Sequence, residues 1–310
     1  MPPRPRSVSK PAIKAGLHPR NRHRRGYDFP HLLSVAPGLA PFVIRNPAGQ
    51  PTIDFAHPPA VLALNAALLR ADYGIVGWTL PPRFLCPPVP GRADYLHVVA
   101  DLLARDHGGT IPRGGDVRVL DVGVGANLIY PLIGHREYGW SFIGSDTVPA
   151  ALNNAQRILD ANPGLAKAID LRHQPDPGAI FDGILADNER VEVVICNPPF
   201  HASRAQAAAG TRRKLRNLGR DTGPLVLNFG GLEPELCCPG GEVAFITRMI
   251  VESARRPLAA RWFTTLVAQD AHVGLLRTAL NAHHARRVEV LPMAQGNKRS
   301  RLLAWTMTAR

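Results

Sequence analysis

Val191-Glu192-Val193-Val194-Ile195-Cys196-Asn197-Pro198-Pro199-Phe200 is the stretch on which the fold turns. Its first six residues are apolar apart from Glu192, and four of them are β-branched, the composition of a buried strand. The run stops at two prolines, which remove two amide donors and hold the chain extended, so strand pairing ends there. Open α/β sheets bind ligands at the carboxyl edge of their strands, and this is where Asn197 and Phe200 would stand. An Asn amide oxygen and a neighbouring backbone carbonyl can hold a planar amine, and a Phe can stack on the flat ring that carries it. The stretch therefore reads as a site for chemistry on the amino group of a nucleobase.

Upstream, Val117-Arg118-Val119-Leu120-Asp121 reads as a strand running into Val122-Gly123-Val124-Gly125 and a short helix from Asn127, limited by Pro131. A dinucleotide site at such a turn carries GxGxxG opening a helix over pyrophosphate. Here the third position after Gly125 is Leu128, and the acid before the turn would repel phosphate. Acid-x-Gly-x-Gly instead suits S-adenosylmethionine, which has cationic amino and sulfonium groups and no phosphate. Gly123 and Gly125 would let the backbone approach its adenosine closely. Trp140 to Gly144 forms a second strand ending at Ser145-Asp146, where Asp146 can accept from both ribose hydroxyls. Taken singly, Asp121 is a strand-end acid and Asp146 an N-cap for the helix at Pro149. The two together, with Asn-Pro-Pro-Phe on the fourth strand, favour a methyl donor.

A helix over 149–160, a strand over 168–172 and a polar loop over 173–188 connect this turn to the opening strand. After Phe200 come a basic loop (201–223), a helix over 242–254, a strand over 262–268 and a helix over 272–284. Two strands, 287–291 and 302–308, close the chain. The alternation predicts an α/β fold with a mostly parallel sheet and an antiparallel last strand. On the amino-terminal side, the Ala/Leu-rich run 61–69 predicts a helix serving as lid or platform. Five prolines between 81 and 90 predict a stiff, non-helical connection that aims Arg92, and 94–106 an amphipathic helix. The expected organisation is a disordered basic arm (1–16), an RNA-binding and helical extension (17–110), and a catalytic domain (111–310) in which 201–223 is a mobile substrate loop.

The 310 residues carry a net charge of +13 with 45% apolar content, which suits one α/β domain with accessory segments. The charge is localised. Residues 1–30 hold eight basic groups against Asp28 alone, and residues 201–220 hold six with no acid, so these two segments account for the whole excess. Two basic segments on a neutral body form a polyanion grip. The first includes Arg20, Arg22, Arg24 and Arg25 interleaved with Tyr27 and Phe29, a mixture suited to phosphates and stacked bases. The second includes Arg212, Arg213 and Lys214. Cys86, Cys196, Cys237 and Cys238 form no CxxC pair and the twelve histidines no HExxH, so no metal is expected. Reduced thiols point to the cytoplasm. No apolar run reaches the length of about eighteen residues that a membrane helix needs, and the basic amino terminus lacks the apolar region of a secretory signal. A monomer is expected.

Seven segments carry a resemblance to a known family: GLHPRNRHRRGYDF (16–29), LCPPVPGRADYLH (85–97), LDVGVGANLIYPLIG (120–134), CNPPF (196–200), RNLG (216–219), LNFGG (227–231) and MAQGNKRSRLLAWT (293–306). In these the chain resembles bacterial 23S ribosomal RNA adenine-N6-methyltransferases of the RlmF type, related to eukaryotic RNA N6-adenosine methyltransferases. The resemblance implies a class I S-adenosylmethionine-dependent methyltransferase (Rossmann-like) fold, S-adenosylmethionine as donor with S-adenosylhomocysteine as product, and one adenosine of 23S rRNA as target. The partner would be that RNA or a large-subunit assembly intermediate. It implies that Asn197, Pro198, Pro199 and Phe200 are catalytic and that Arg92 contacts the donor carboxylate. Where the family typically has Glu, Asp146 is one methylene shorter. A protein-glutamine N-methyltransferase would present Asn-Pro-Pro-Tyr to an amide, and the basic flanks and Phe200 argue against it. An RNA-binding assembly factor with a dead core would not need Asn197, Gly123, Gly125 and Asp146 intact.

Overall fold

A computed structural model of the chain describes residues 16–203, 233–295 and 298–309. The arm before residue 16 and most of the 201–223 loop, with Arg212, Arg213 and Lys214, lie outside these residues. The amino-terminal part opens with a 3-10 turn, Arg22–Arg25, then α1 (Phe29–Val35), a second 3-10 turn (Pro37–Phe42) and a small hairpin of β1 (Val43–Arg45) and β2 (Pro51–Ile53). Two long helices follow, α2 (Pro58–Tyr73) and α3 (Val89–Asp106). The βα succession then runs β3 (Arg118–Val122), α4 (Ile129–Tyr138), β4 (Ser141–Asp146), α5 (Pro149–Asp160), α6 (Pro163–Ala166), β5 (Ile169–His173) and β6 (Val191–Cys196). The chain closes with α7 (Glu233–Leu236), α8 (Gly241–Arg255), β7 (Ala260–Val267), α9 (Asp270–Ala282), β8 (Arg287–Gln295) and β9 (Lys298–Thr306).

The seven-stranded sheet has the order β5-β4-β3-β6-β7-β9-β8. Strands β5 to β7 are parallel, and β9 runs antiparallel to both β7 and β8. The mostly parallel sheet with its antiparallel β9 is the expected α/β architecture. The chain winds outward from β3 to β4 and β5, then returns to lay β6 on the other side of β3. That reversal opens a crevice at the carboxyl ends of β3 and β6. Its register sets the site, because Val122 pairs with Cys196, so Gly123 and Asn197 leave the sheet side by side. Residues on β6 alternate between two cores. Val193 and Ile195 join Tyr95, Leu96, Trp140 and Trp262 on one face, while Val194 and Cys196 join Ile246, Phe263 and Trp305 on the other. Burial on both faces is why the strand reads as a continuous apolar run.

Several local expectations are corrected. The helix carrying Arg92 begins at Val89 and takes in Pro90 and Gly91. Arg92 therefore sits in its first turn, where Pro is tolerated because the amide it lacks has no intrahelical partner. For the same reason Pro131 falls in the first turn of α4 and does not limit it; the helix continues to Tyr138. The 173–188 segment is polar in composition, yet it buries Ile180, Phe181, Ile184 and Leu185 against the sheet. Helix α1, the 3-10 turns and the β1–β2 hairpin have no expectation behind them, and β8 and β9 extend beyond the expected closing strands.

Candidate active site

The turn after β3 is built around backbone conformations that glycine adopts freely. Gly123 and Gly125 have φ of 73° and 67°, the left-handed region disfavoured for side chains. A Cβ at Gly125 would also press on Asn127 Nδ2 at 3.0 Å. The turn is held from β4: the amides of Gly123 and Val124 both donate to the Ser145 carbonyl at 2.9 Å. Asp146 then accepts from the Gly125 amide at 2.8 Å with Oδ2 and from the Val148 amide at 2.9 Å with Oδ1. Asp146 is not the N-cap expected for the helix at Pro149: that position is Val148, and Asp146 only accepts from its amide. A carboxylate has about four acceptor positions, and Asp146 spends two on the loops while lining a cavity. Burial raises its pKa, opposed by the amides of Val148, Gly125 and Thr147.

Asp121 is different in kind. It is 1% exposed, and neither carboxylate oxygen has a hydrogen-bond partner. Burial pushes its carboxyl well above the usual carboxylate range, the Arg92 guanidinium opposes the shift and Asp146 adds to it. An orphaned buried carboxyl is costly, and what it lacks is a cation. Arg92 reaches the same cavity from α3, its Nη1 donating to the Tyr130 hydroxyl at 2.7 Å with the guanidinium 5.5 Å above that ring. Tyr130 orients Arg92 without neutralising it. An acid seeking a cation beside an arginine suits a zwitterionic amino-acid group.

At the end of β6 the strand is pinned by a chain of hydroxyls. The Cys196 amide donates to Tyr95 Oη at 3.1 Å, Tyr95 Oη lies 2.9 Å from Thr264 Oγ1, and Thr264 Oγ1 donates to the Val194 carbonyl at 2.8 Å. With the Thr264 proton committed to Val194, the Tyr95 hydroxyl donates toward Thr264 Oγ1 and the Cys196 carbonyl, the latter at 3.3 Å. Asn197 follows immediately. Its Oδ1 is buried without a partner, and Asn197 and Pro199 line the same cavity as Asp121's turn. Pro198 is buried and Phe200 half-buried, and neither is among the lining residues.

The cavity measures about 600 Å³, within the range of small-molecule sites. Besides the turn, Asp146 and Asn197, its walls include Gln174 and 177–180, and on the other side Glu235, Cys238, Phe245 and Arg248. Glu252, one turn beyond Arg248 on α8, accepts from the amides of Ile180, Phe181 and Asp182 at 2.9, 2.7 and 3.2 Å. One buried carboxylate thus fixes the loop that walls the cavity. Among the described residues no group of three or more His, Cys, Asp or Glu is placed to hold a metal ion, and no described helix is long and apolar enough to cross a membrane.

The four amino-terminal arginines divide. Arg20 donates to Asp101 at 2.7 Å, to the His97 carbonyl and to Tyr138, and Arg22 pairs with Glu137 at 2.6 Å and covers the Tyr73 ring. Both tie the segment to α3 and α4. Arg24 Nε is buried without a partner, and Arg25 is exposed on the same 3-10 turn.

Comparison with known proteins places this geometry. The model of a family described as RNA methyltransferase matches residues 11–309. The ribosomal RNA large subunit methyltransferase F of Ectopseudomonas mendocina (strain ymp) is 54% identical over 308 residues, 98% of this chain and 92% of that one. Its counterpart in Cronobacter sakazakii (strain ATCC BAA-894) is 55% identical over 295 residues, 94% of each chain. Among solved structures, the human METTL16 catalytic domain in complex with the MAT2A 3′UTR hairpin 1 superposes with a TM-score of 0.80 at 29% identity, covering 94% of this chain and 96% of that one. The amino-terminal domain of human METTL16 in complex with SAH superposes with a TM-score of 0.74 at 26% identity, covering 94% and 99%. The fold is therefore that of a class I methyltransferase, and the chain belongs to the RNA methyltransferase family.

Proposed function

We propose that this enzyme transfers the methyl group of S-adenosylmethionine to the N6 amine of one adenosine in 23S ribosomal RNA. The observation that carries the reading is a pair of orphaned groups at the carboxyl edge of the sheet: the Asp121 carboxyl, which lacks a cation and lies at the base of the glycine turn that walls the cavity, and Asn197 Oδ1, which lacks a donor. The first suits the donor's ammonium and the second an amine. The donor supplies a methyl group already bonded to a sulfonium leaving group. Arg92 would hold its carboxylate, Asp121 its ammonium, and Asp146 its ribose hydroxyls through lone pairs left over from the Gly125 and Val148 amides. Gly123, bare toward open space, leaves room against the turn.

Asn197 Oδ1 and the Pro198 carbonyl would accept the two N–H groups of the adenine amine, turning its lone pair toward the methyl. Both oxygens also stabilise the positive charge that grows on nitrogen. Phe200 would stack on the base, unstacked from RNA to enter. Alignment does most of the work, and no strong base is required because the nitrogen becomes acidic only after transfer. Arg25, exposed, and the half-buried Arg24 beside it would meet phosphates, with Arg212, Arg213 and Lys214 of the basic loop as the second grip. The names of the bacterial relatives support large-subunit rRNA as the target, and the RNA-bound human neighbour supports an RNA partner. A monomeric cytoplasmic protein fits this role.

Transfer of labelled methyl from S-adenosylmethionine to 23S rRNA, followed by mass mapping of the product, tests the reading. Label at N6 of a single adenosine is expected. Label in protein, or none in any rRNA substrate, would overturn it.

A further inference from the structure

Helix α8 brings Arg248 to the cavity without giving its charge an anionic partner. The guanidinium lies 5.5 Å above the Phe245 ring and hydrogen-bonds the Cys238 sulfur, whose pKa it lowers against the larger upward push of burial. Its Nε is buried with no hydrogen-bond partner, and among the described residues no carboxylate pairs with it. The acids of this wall are committed elsewhere. Glu242 accepts from the Ala268 amide and pairs with His272, Glu235 accepts from the Leu85 amide, and Glu252 serves the amides of 180–182. A half-buried guanidinium backed by an aromatic ring and left without a counter-charge is an anion site.

The reaction presents two kinds of anion, the donor carboxylate and the phosphates of the RNA. The first is the place of Arg92, which reaches the cavity beside Tyr130 and the glycine turn after Asp121. The start of α8 belongs instead to the acceptor side. His201, the residue after Phe200, bridges to Cys237; its amide donates to the Leu236 carbonyl at 3.0 Å and its carbonyl accepts from the Cys238 amide at 3.0 Å. Gly241 packs against Ala202. Arg248 is thus carried by the wall that is stitched to the end of the Asn-Pro-Pro-Phe segment. We propose that Arg248, supported by Phe245, binds a backbone phosphate next to the adenosine presented to Asn197. The inference rests on the RNA-methylating reading above and assigns the enzyme a phosphate contact inside the catalytic cavity, apart from the surface arginines.

The experiment is a thermodynamic cycle on a short RNA oligonucleotide bearing the adenosine that the wild-type enzyme methylates. Failure of the wild-type enzyme to methylate any RNA would remove the reading itself; the cycle tests the inference once a substrate is in hand. Arg248→Gln, and separately a neutral methylphosphonate at each linkage flanking that adenosine, should each weaken binding about tenfold, the scale of one charge-assisted contact. At one linkage the two changes combined should cost no more than either alone, and the salt slope of the variant should fall by about 0.7, one single-strand phosphate. Affinity for S-adenosylhomocysteine should stay within about twofold, a difference well under 1 kcal/mol. Additive losses at both linkages, or weakened S-adenosylhomocysteine binding with unchanged RNA binding, would overturn the assignment. Arg248→Lys, which keeps the charge, should recover part of the affinity; no recovery in a variant of unchanged melting temperature counts against a phosphate contact.

Discussion

The hydroxyl of Tyr95, on a helix from the amino-terminal half, accepts from the amide of Cys196 one residue before Asn197. This bond replaces the ladder at the point where β6 leaves the sheet, and Thr264 carries it on to the Val194 carbonyl. Tyr95→Phe leaves a buried amide unsatisfied, a cost of about 1–3 kcal/mol. Single-turnover methyl transfer at saturating donor and RNA should slow by about tenfold or more, equivalent to about 1.4 kcal/mol in the barrier. Donor affinity, measured alongside, should hold. A rate that survives while the melting temperature falls would reduce Tyr95 to a fold-supporting role.

Asn197→Ala removes the acceptor for the amine and should lower turnover by at least about a hundredfold, the scale seen when one preorganised polar group is lost from a reacting centre. Calorimetric affinity for the donor should change only a few-fold, since Asn197 acts on the acceptor. A collapse of donor binding would move Asn197 to the other half of the cavity.

Burial holds the Asp121 carboxyl protonated to pH values above the ordinary carboxylate range. A bound ammonium favours the ionised form, so donor binding should release a proton, and affinity should climb as pH rises through the raised value and level off above it. The sign for stability is the reverse. The donor-free protein has the full contribution of this group below the unfolded value of about 3.9 and loses it as pH rises through the folded one. Calorimetry in buffers of different ionisation enthalpy reads the proton directly, and Asp121→Asn should abolish it.

Glu252 accepts three amides from the loop that walls the cavity. Glu252→Gln turns one acceptor into a donor facing those amides and should destabilise the protein by about 2 kcal/mol, typical of bonds to a charged group. Hydrogen exchange should accelerate at Ile180, Phe181 and Asp182, and donor affinity should fall with it. Unchanged exchange at these amides would mean that the loop is held by its buried side chains alone.

The amino-terminal arginines should separate by function. Arg20→Ala breaks contacts to Asp101, Tyr138 and the His97 carbonyl and should lower the melting temperature. Arg25→Ala should leave melting unchanged and flatten the salt dependence of RNA binding by about one phosphate contact. Equal effects of the two on RNA binding and none on melting would refute the division.

The parts of the site that read from sequence are those whose chemistry is local. Val191–Cys196 announces a doubly buried strand, the prolines announce its end, and the glycine turn after Asp121 fixes its own backbone. Tyr95, Tyr130, Arg248 and Glu252 come from elements whose relation to the cavity is set by packing, and residue type alone gives no hint of it. Tyr95 had one local signal: it lies three residues after Arg92, on one face if 89–106 is read as a single helix. Treating the prolines as a non-helical connection hid that face. The basic composition of residues 20–25 likewise suggests four equivalent phosphate contacts, whereas internal acids claim two of them. Charge in a sequence does not say which groups are already neutralised in the fold.

Helix α3 shares a single apolar core with the sheet, and it supplies both Arg92 to the cavity and Tyr95 to the strand end that carries Asn197. The amino-terminal segment is therefore not an accessory that recombination could graft onto another methyltransferase. A gene fragment begun at residue 111 would encode the glycine turn, Asp146 and Asn-Pro-Pro-Phe, yet its product would lack the anchor of its reactive strand. Heredity has to pass the two halves on together.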